Sequence, residues 1–164
     1  MLNSQTNNFP IYNASQIRVG IVCAQFNSDL TDKMLQSAQK KLQEYQIAKK
    51  NIEVFKVAGC VEIPVILKAT AKSKKFDILI AIGAIIKGET DHYDFVAKVV
   101  VDGILQVMND EIIPIGFAVL TLPNKNLAQD RLSIGAEAVV ASMQNALLLK
   151  NISLPLNKGE VGRG

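Results

Sequence analysis

The chain has 164 residues, 49% of them apolar, which is the size of one domain able to bury a real core. With no tryptophan, three tyrosines and six phenylalanines, packing must rest on Val, Ile, Leu and Ala, a composition that suits strands buried on both faces beneath helices. The formal charge of +3 is dispersed over separate lysines, with Lys40-Lys41, Lys49-Lys50 and Lys74-Lys75 as the only doublets and no aromatic residues alternating with them, so nucleic-acid binding is not expected.

The first 14 residues read as a mobile N-terminal segment ahead of a single domain, 1–164, with its core at 17–149. Ile17–Ala24 is a β-branched run that predicts a strand. From Asp29 onward, Leu30, Met34, Leu35, Ala38, Leu42 and Tyr45 share one side of a helix. Ile52–Val57 predicts a second strand, broken at Ala58-Gly59, and Pro64 suits the first turn of a second helix. Asp77–Ile86 is almost wholly apolar, as a central parallel strand should be, and Tyr93–Met108 returns to helical spacing. Ile112–Leu120 predicts a fourth strand, and Leu127–Leu149 a long helix kinked where Ser133 and Gly135 lower its propensity. The tail 151–164, with Pro155 and three glycines, reads as mobile.

Strands alternating with helices predict an α/β fold, a parallel sheet with right-handed crossovers and helices on both faces. Ligands then bind at the carboxyl ends of the strands. The four loops at those ends hold Gln25-Phe26-Asn27, Gly59-Cys60-Val61-Glu62, Lys87 to His92, and Thr121-Leu-Pro-Asn124.

No apolar segment reads as a membrane span, and the N-terminus lacks a charged region followed by an apolar one, so a cytoplasmic protein without membrane partners is expected. Cys23 and Cys60 lack a CxxC spacing, which argues against a structural metal and for two buried free thiols.

His92 is the only histidine, hence the one imidazole available for proton chemistry near neutral pH; the plain alternative is a surface or helix-cap residue. Gly88-Glu89-Thr90 lies between a strand and a helix start, where backbone N–H groups and the helix dipole favour a phosphate, although Thr90 could simply cap the helix. Arg131 is one of three arginines and could grip that phosphate bidentately, or could pair with Asp130 or Glu137 on the surface. Phe26 follows a strand in an aromatic-poor chain and could stack on a flat heterocycle. Glu62 could favour a helix N-terminus or accept bonds from a ring N–H or a sugar hydroxyl.

The segments Gln25-Phe26-Asn27, Gly59-Cys60-Val61-Glu62-Ile63-Pro64, Gly83-Ala-Ile-Ile-Lys-Gly88-Glu-Thr90-Asp-His92-Tyr, Leu120-Thr121 and Arg131 occur in an order and spacing that resembles the 6,7-dimethyl-8-ribityllumazine synthase family. The resemblance runs from Ile17 to Leu149, and the third segment is its most specific part. It implies a flavodoxin-like, three-layer α/β/α sandwich with a four-stranded parallel sheet. The implied reaction is the penultimate step of riboflavin biosynthesis, in which 5-amino-6-(D-ribitylamino)uracil condenses with 3,4-dihydroxy-2-butanone 4-phosphate, releasing phosphate and water, with no cofactor and no metal.

By the same resemblance, Phe26 stacks on the pyrimidine. Asn27, Cys60, Val61, Glu62, Ala84, Ile85 and Ile86 surround the uracil edge and ribityl chain, and Phe117 closes that pocket across a subunit boundary. Gly88, Glu89 and Thr90 bind the phosphate, Arg131 comes from the neighbouring subunit, and His92 moves protons. Such a shared site implies a homo-oligomer built from pentamers, with riboflavin synthase left open as a partner.

Three departures from the family pattern stand out. Ala58 replaces its proline, Val61 its usually larger aromatic residue, and Ile134 a common lysine in a shortened segment after Arg131. Two other readings stand beside this one: a paralogue that binds lumazine or flavin with weak or no catalysis, suggested by Ile134, and a related riboflavin synthase that needs no butanone phosphate site.

Overall fold

A computed structural model describes residues 9–89 and 92–152. Within them four strands alternate with four helices: β1 (Val19–Ala24), α1 (Ser28–Glu44), β2 (Ile52–Val57), α2 (Ile63–Lys72), β3 (Ile78–Ile86), α3 (His92–Glu111), β4 (Ile115–Leu122) and α4 (Ile134–Asn151). All strand pairs are parallel and the sheet order is β2-β1-β3-β4. The expected α/β sandwich is thus the observed one.

Successive residues of a strand face opposite layers, so the apolar runs of β1 and β3 need cover on both sides. On one face Ile21, Ile80, Ile82 and Leu120 meet Met34 and Leu42 of α1 and Val139 and Met143 of α4. On the other, Val22, Leu79, Ala81 and Val119 meet Leu67 of α2 and Val100 and Ile104 of α3. Each such side chain, fully buried, contributes roughly 2 kcal/mol. Ahead of β1, Tyr12 donates its hydroxyl to the Met143 carbonyl at 2.7 Å and stacks edge-on against Tyr45 at 5.5 Å. The remaining parts of the two terminal segments expected to be mobile, 1–8 and 153–164, lie outside the described residues.

Four expectations are corrected. The last helix begins at Ile134, and what precedes it is a pair of 3-10 turns, Lys125–Leu127 and Gln129–Arg131, so Arg131 is not on a helix. Gly135 marks the start of α4 rather than a kink, because α4 meets the backbone of α1 there. The fourth strand starts at Ile115, since Ile112 has φ 48° and reverses the chain after α3, and it extends to Leu122, paired with Ile86. Finally, Gln129–Asn151 is long and apolar enough by composition to cross a membrane. Part of its apolarity serves the core: Gly135, Ala138, Val139, Val140 and Met143 are buried against α1 and the sheet.

Candidate active site

From β1 the chain crosses to β2 on one side, and from β3 it crosses to β4 on the other, so the topological switch point lies between β1 and β3. A crevice opens outside the carboxyl ends of such strands. Here the β1–β3 ladder stops at Cys23 and Ile82, whereas β3 runs on to Ile86 beside β4. Backbone groups of alternate residues in a strand face alternate neighbours. Ile78 donates its N–H to Arg18 on the β1 side, while Leu79 and Lys87 donate to Pro114 and Leu122 on the β4 side. Ala84 and Ile86 therefore turn their N–H and C=O groups toward the side that β1 has vacated.

The loop after β1 rises beside that edge. Gln25 and Phe26 donate their N–H groups to Val57 and Ala58 at 2.8 and 2.9 Å, continuing the pairing with β2. Asn27 then adopts φ 61°, ψ 44°, a left-handed conformation that asparagine tolerates, and its carbonyl accepts from Leu30 and Thr31 as α1 begins. The Asn27 Nδ2 donates to the Ala84 carbonyl at 3.0 Å. Thr31, fully buried, donates its Oγ1 to the last carbonyl of β1, Ala24, at 2.8 Å. Phe26 emerges from this anchored backbone with 73% of its surface exposed. In a chain with six phenylalanines, an aromatic ring held in solvent by a fixed backbone is suited to stacking.

Between β2 and α2, Cys60–Glu62 form a 3-10 turn closed by the Glu62 carboxylate, which accepts the Gly59 N–H at 2.9 Å. The helix-start reading of Glu62 is realised, with one carboxylate oxygen committed to the turn. Val61 is exposed beside it. Cys60 points inward, and a Cβ on Gly83 would lie 2.5 Å from its sulfur, so glycine at 83 lets β3 pass over the thiol. Both cysteines are free and buried, as expected.

Burial pushes the Cys60 thiol up to about 11, opposed in part by the backbone at Ala84, so it stays protonated and is no nucleophile at neutral pH. Between the ordinary thiol range near 9 and the folded value of about 11, the unfolded chain has lost this proton and the folded chain keeps it, so stability falls as pH rises across that window. Urea unfolding at pH 8 and pH 11 should show Cys60→Ala losing roughly 2 kcal/mol less over the interval than the parent chain. Equal losses would remove Cys60 as a source of alkaline sensitivity.

After β3, Lys87, Gly88 and Glu89 are exposed, Thr90 lies outside the described residues, and His92 is the exposed first residue of α3. Phe26, Asn27, Cys60, Val61, Glu62, Ala84, Ile85, Ile86, Gly88, Glu89 and His92 thus share the carboxyl edge of the sheet. Arg131 sits in the β4–α4 connection that leaves the same edge; it is exposed and makes no ion pair among the described residues. Glu137, the surface partner that sequence offers it, accepts from the Ser133 hydroxyl at 3.2 Å instead.

The family model of 6,7-dimethyl-8-ribityllumazine synthase matches residues 16–150. The chain belongs to this family. Its activity is that of a lumazine synthase, a transferase of riboflavin biosynthesis acting on small molecules. Two features of this lumazine synthase chain differ from a site closed within one subunit. Phe117 pairs with Ala81, five positions before the carboxyl end of β4, and stands 38% exposed on the edge strand, away from the crevice of its own chain. Ile134, where the resemblance implies a lysine, is half-buried against the α1–α4 core, so it neither supplies a cation nor lies open for one.

The Asn27–Ala84 bond was not foreseen from sequence. A short amide residue between the end of a strand and the start of a helix signals a turn, yet nothing local names a carbonyl 57 residues away as its acceptor.

Proposed function

We propose that this crevice condenses 5-amino-6-(D-ribitylamino)uracil with 3,4-dihydroxy-2-butanone 4-phosphate to 6,7-dimethyl-8-ribityllumazine. The observation that carries the reading is the β3 edge left open beyond the end of β1, beside the exposed Phe26 ring and with His92 on the same sheet edge. The uracil stacks on Phe26 and pairs with the strand end at Ala84–Ile86, and Val61 and Glu62 flank the ribityl chain. Gly88, Glu89 and Thr90, at the start of the 20-residue helix α3, receive the phosphate.

The aromatic amine adds to the butanone carbonyl and water leaves, giving an imine. Phosphate is then eliminated across C3–C4, the enol left behind tautomerises to a ketone at C3, and the ribityl-bearing nitrogen closes on that new carbonyl with loss of a second water. His92 takes and returns protons in these steps. Both partners are reactive once aligned, so positioning supplies much of the rate.

Phe117 and Arg131 reach the crevice from the neighbouring subunit, and the assembly is a homopentamer or a multiple of one. Its location is the cytoplasm, whose reducing conditions suit two free cysteines. Fractionating the protein by sedimentation and assaying each species for lumazine formation tests this. Product should arise only in fractions of pentamer mass or larger. An active monomer would end the shared-site reading, and bound lumazine without turnover in every fraction would favour the non-catalytic paralogue.

A further inference from the structure

We propose that Asn27 is a positioning residue for the pyrimidine half of the site, acting through Phe26 and the Ala84 carbonyl rather than by touching substrate. This rests on the reading of the crevice as the ribitylaminouracil site. The β1–β3 ladder ends at Ile82, and Ala84 carries the first carbonyl beyond it that faces the vacated side. The Asn27 side-chain amide takes that carbonyl at 3.0 Å, standing in for the strand that has turned away. The same residue bends the chain into α1 through its left-handed backbone, and its own carbonyl accepts the N–H groups of Leu30 and Thr31.

One residue therefore joins the β1 loop to β3 across the switch point, with two consequences. Phe26, a residue 73% exposed, is clamped between its N–H bond to Ala58 and the neighbouring Asn27. The Ala84 carbonyl has one lone pair engaged by the Asn27 amide, which leaves the N–H and C=O of Ile86 as the freer donor–acceptor pair for an amide edge. Asparagine suits both tasks: it tolerates the left-handed backbone and offers a donor at short reach.

The test is a double-mutant cycle between Asn27→Gly, which keeps the backbone conformation and deletes the amide, and Phe26→Ala. Steady-state kinetics would be measured for both substrates, with equilibrium binding of 6,7-dimethyl-8-ribityllumazine as a readout independent of turnover. Alone, Asn27→Gly should raise KM for ribitylaminouracil and the lumazine Kd about tenfold and move the butanone phosphate KM less than about twofold. In the Phe26→Ala background the same change should add less than about twofold, because the ring it positions is gone.

A full tenfold loss in that background would mean direct contact with substrate and overturn the proposal. A rise in both substrates' KM together with a lowered Tm would mean a purely structural role and overturn it equally. Asn27→Asp, which sets an acceptor against the Ala84 carbonyl, should bind lumazine no better than Asn27→Gly; parent-like binding would also count against it. Should the parent protein neither bind nor form lumazine, the functional reading itself falls, and this role with it.

Discussion

His92→Ala should lower kcat for lumazine formation about a hundredfold while leaving both KM values within about threefold. The chain has one histidine, so no second imidazole can take over its protons. His92 is exposed at the first position of α3, directly after the segment that leaves β3, and its removal opens no cavity and breaks no hydrogen bond among the described residues. The loss should therefore appear in turnover and not in Tm. It should also be incomplete, because bringing an amine and a ketone together in one crevice supplies rate that does not depend on the imidazole. Steady-state assays with each substrate varied decide the matter: an unchanged kcat would take His92 out of the mechanism, and a lowered kcat with a lowered Tm would make it a structural residue.

Gly135→Ala should be the most destabilising single-methyl change in the α1–α4 interface, at about 3 kcal/mol. A Cβ at 135 would meet the Met34 carbonyl oxygen at 2.0 Å, the Met34 carbonyl carbon at 3.0 Å and the Ala38 nitrogen at 3.2 Å. These are backbone atoms in the middle of α1, which cannot rotate aside as a side chain would. Close by, the Ala136 N–H donates to the Ser37 Oγ at 3.2 Å, so moving α4 away to make room also stretches a hydrogen bond. Helix propensity works in the opposite direction, since alanine is favoured over glycine in a helix by about 1 kcal/mol. The sign of the measured change thus says which effect wins. Thermal unfolding should show Tm lower by roughly 6–12 °C for a domain of this size; a Tm equal to or above the parent's would mean that α4 relaxes away from α1 at little cost.

Most of the candidate site was legible because its residues lie at the ends of strands that declare themselves locally. Phe26, Glu62 and His92 could be assigned to one sheet edge as soon as the strands at Ile17–Ala24, Ile52–Val57 and Asp77–Ile86 were placed. The roles of Glu62 and Gly135 were less legible. Glu62 closes its own turn through Gly59, a choice between backbone and ligand that residue type leaves open. Gly135 looked like a weak point in a long helix, and proved to be where two helix backbones approach, a property of a pair of segments. Arg131 was misplaced for the same reason: Ala and Leu favour a helix from Leu127, but the close approach at Gly135 sets where α4 begins and leaves Arg131 on a 3-10 turn.

The sequence by itself determined the four strand–helix units, the burial of β1 and β3, the two free thiols and the set of residues at the carboxyl edge, because all of these follow from periodicity and residue type over short windows. Only the tertiary structure decided the order β2-β1-β3-β4, and with it the switch point between β1 and β3, the open backbone at Ile86 and the hydrogen bond from Asn27 to Ala84. Those depend on which distant segments lie side by side, and the free energy of that choice resides in contacts between strands and helices rather than in any stretch of chain read alone.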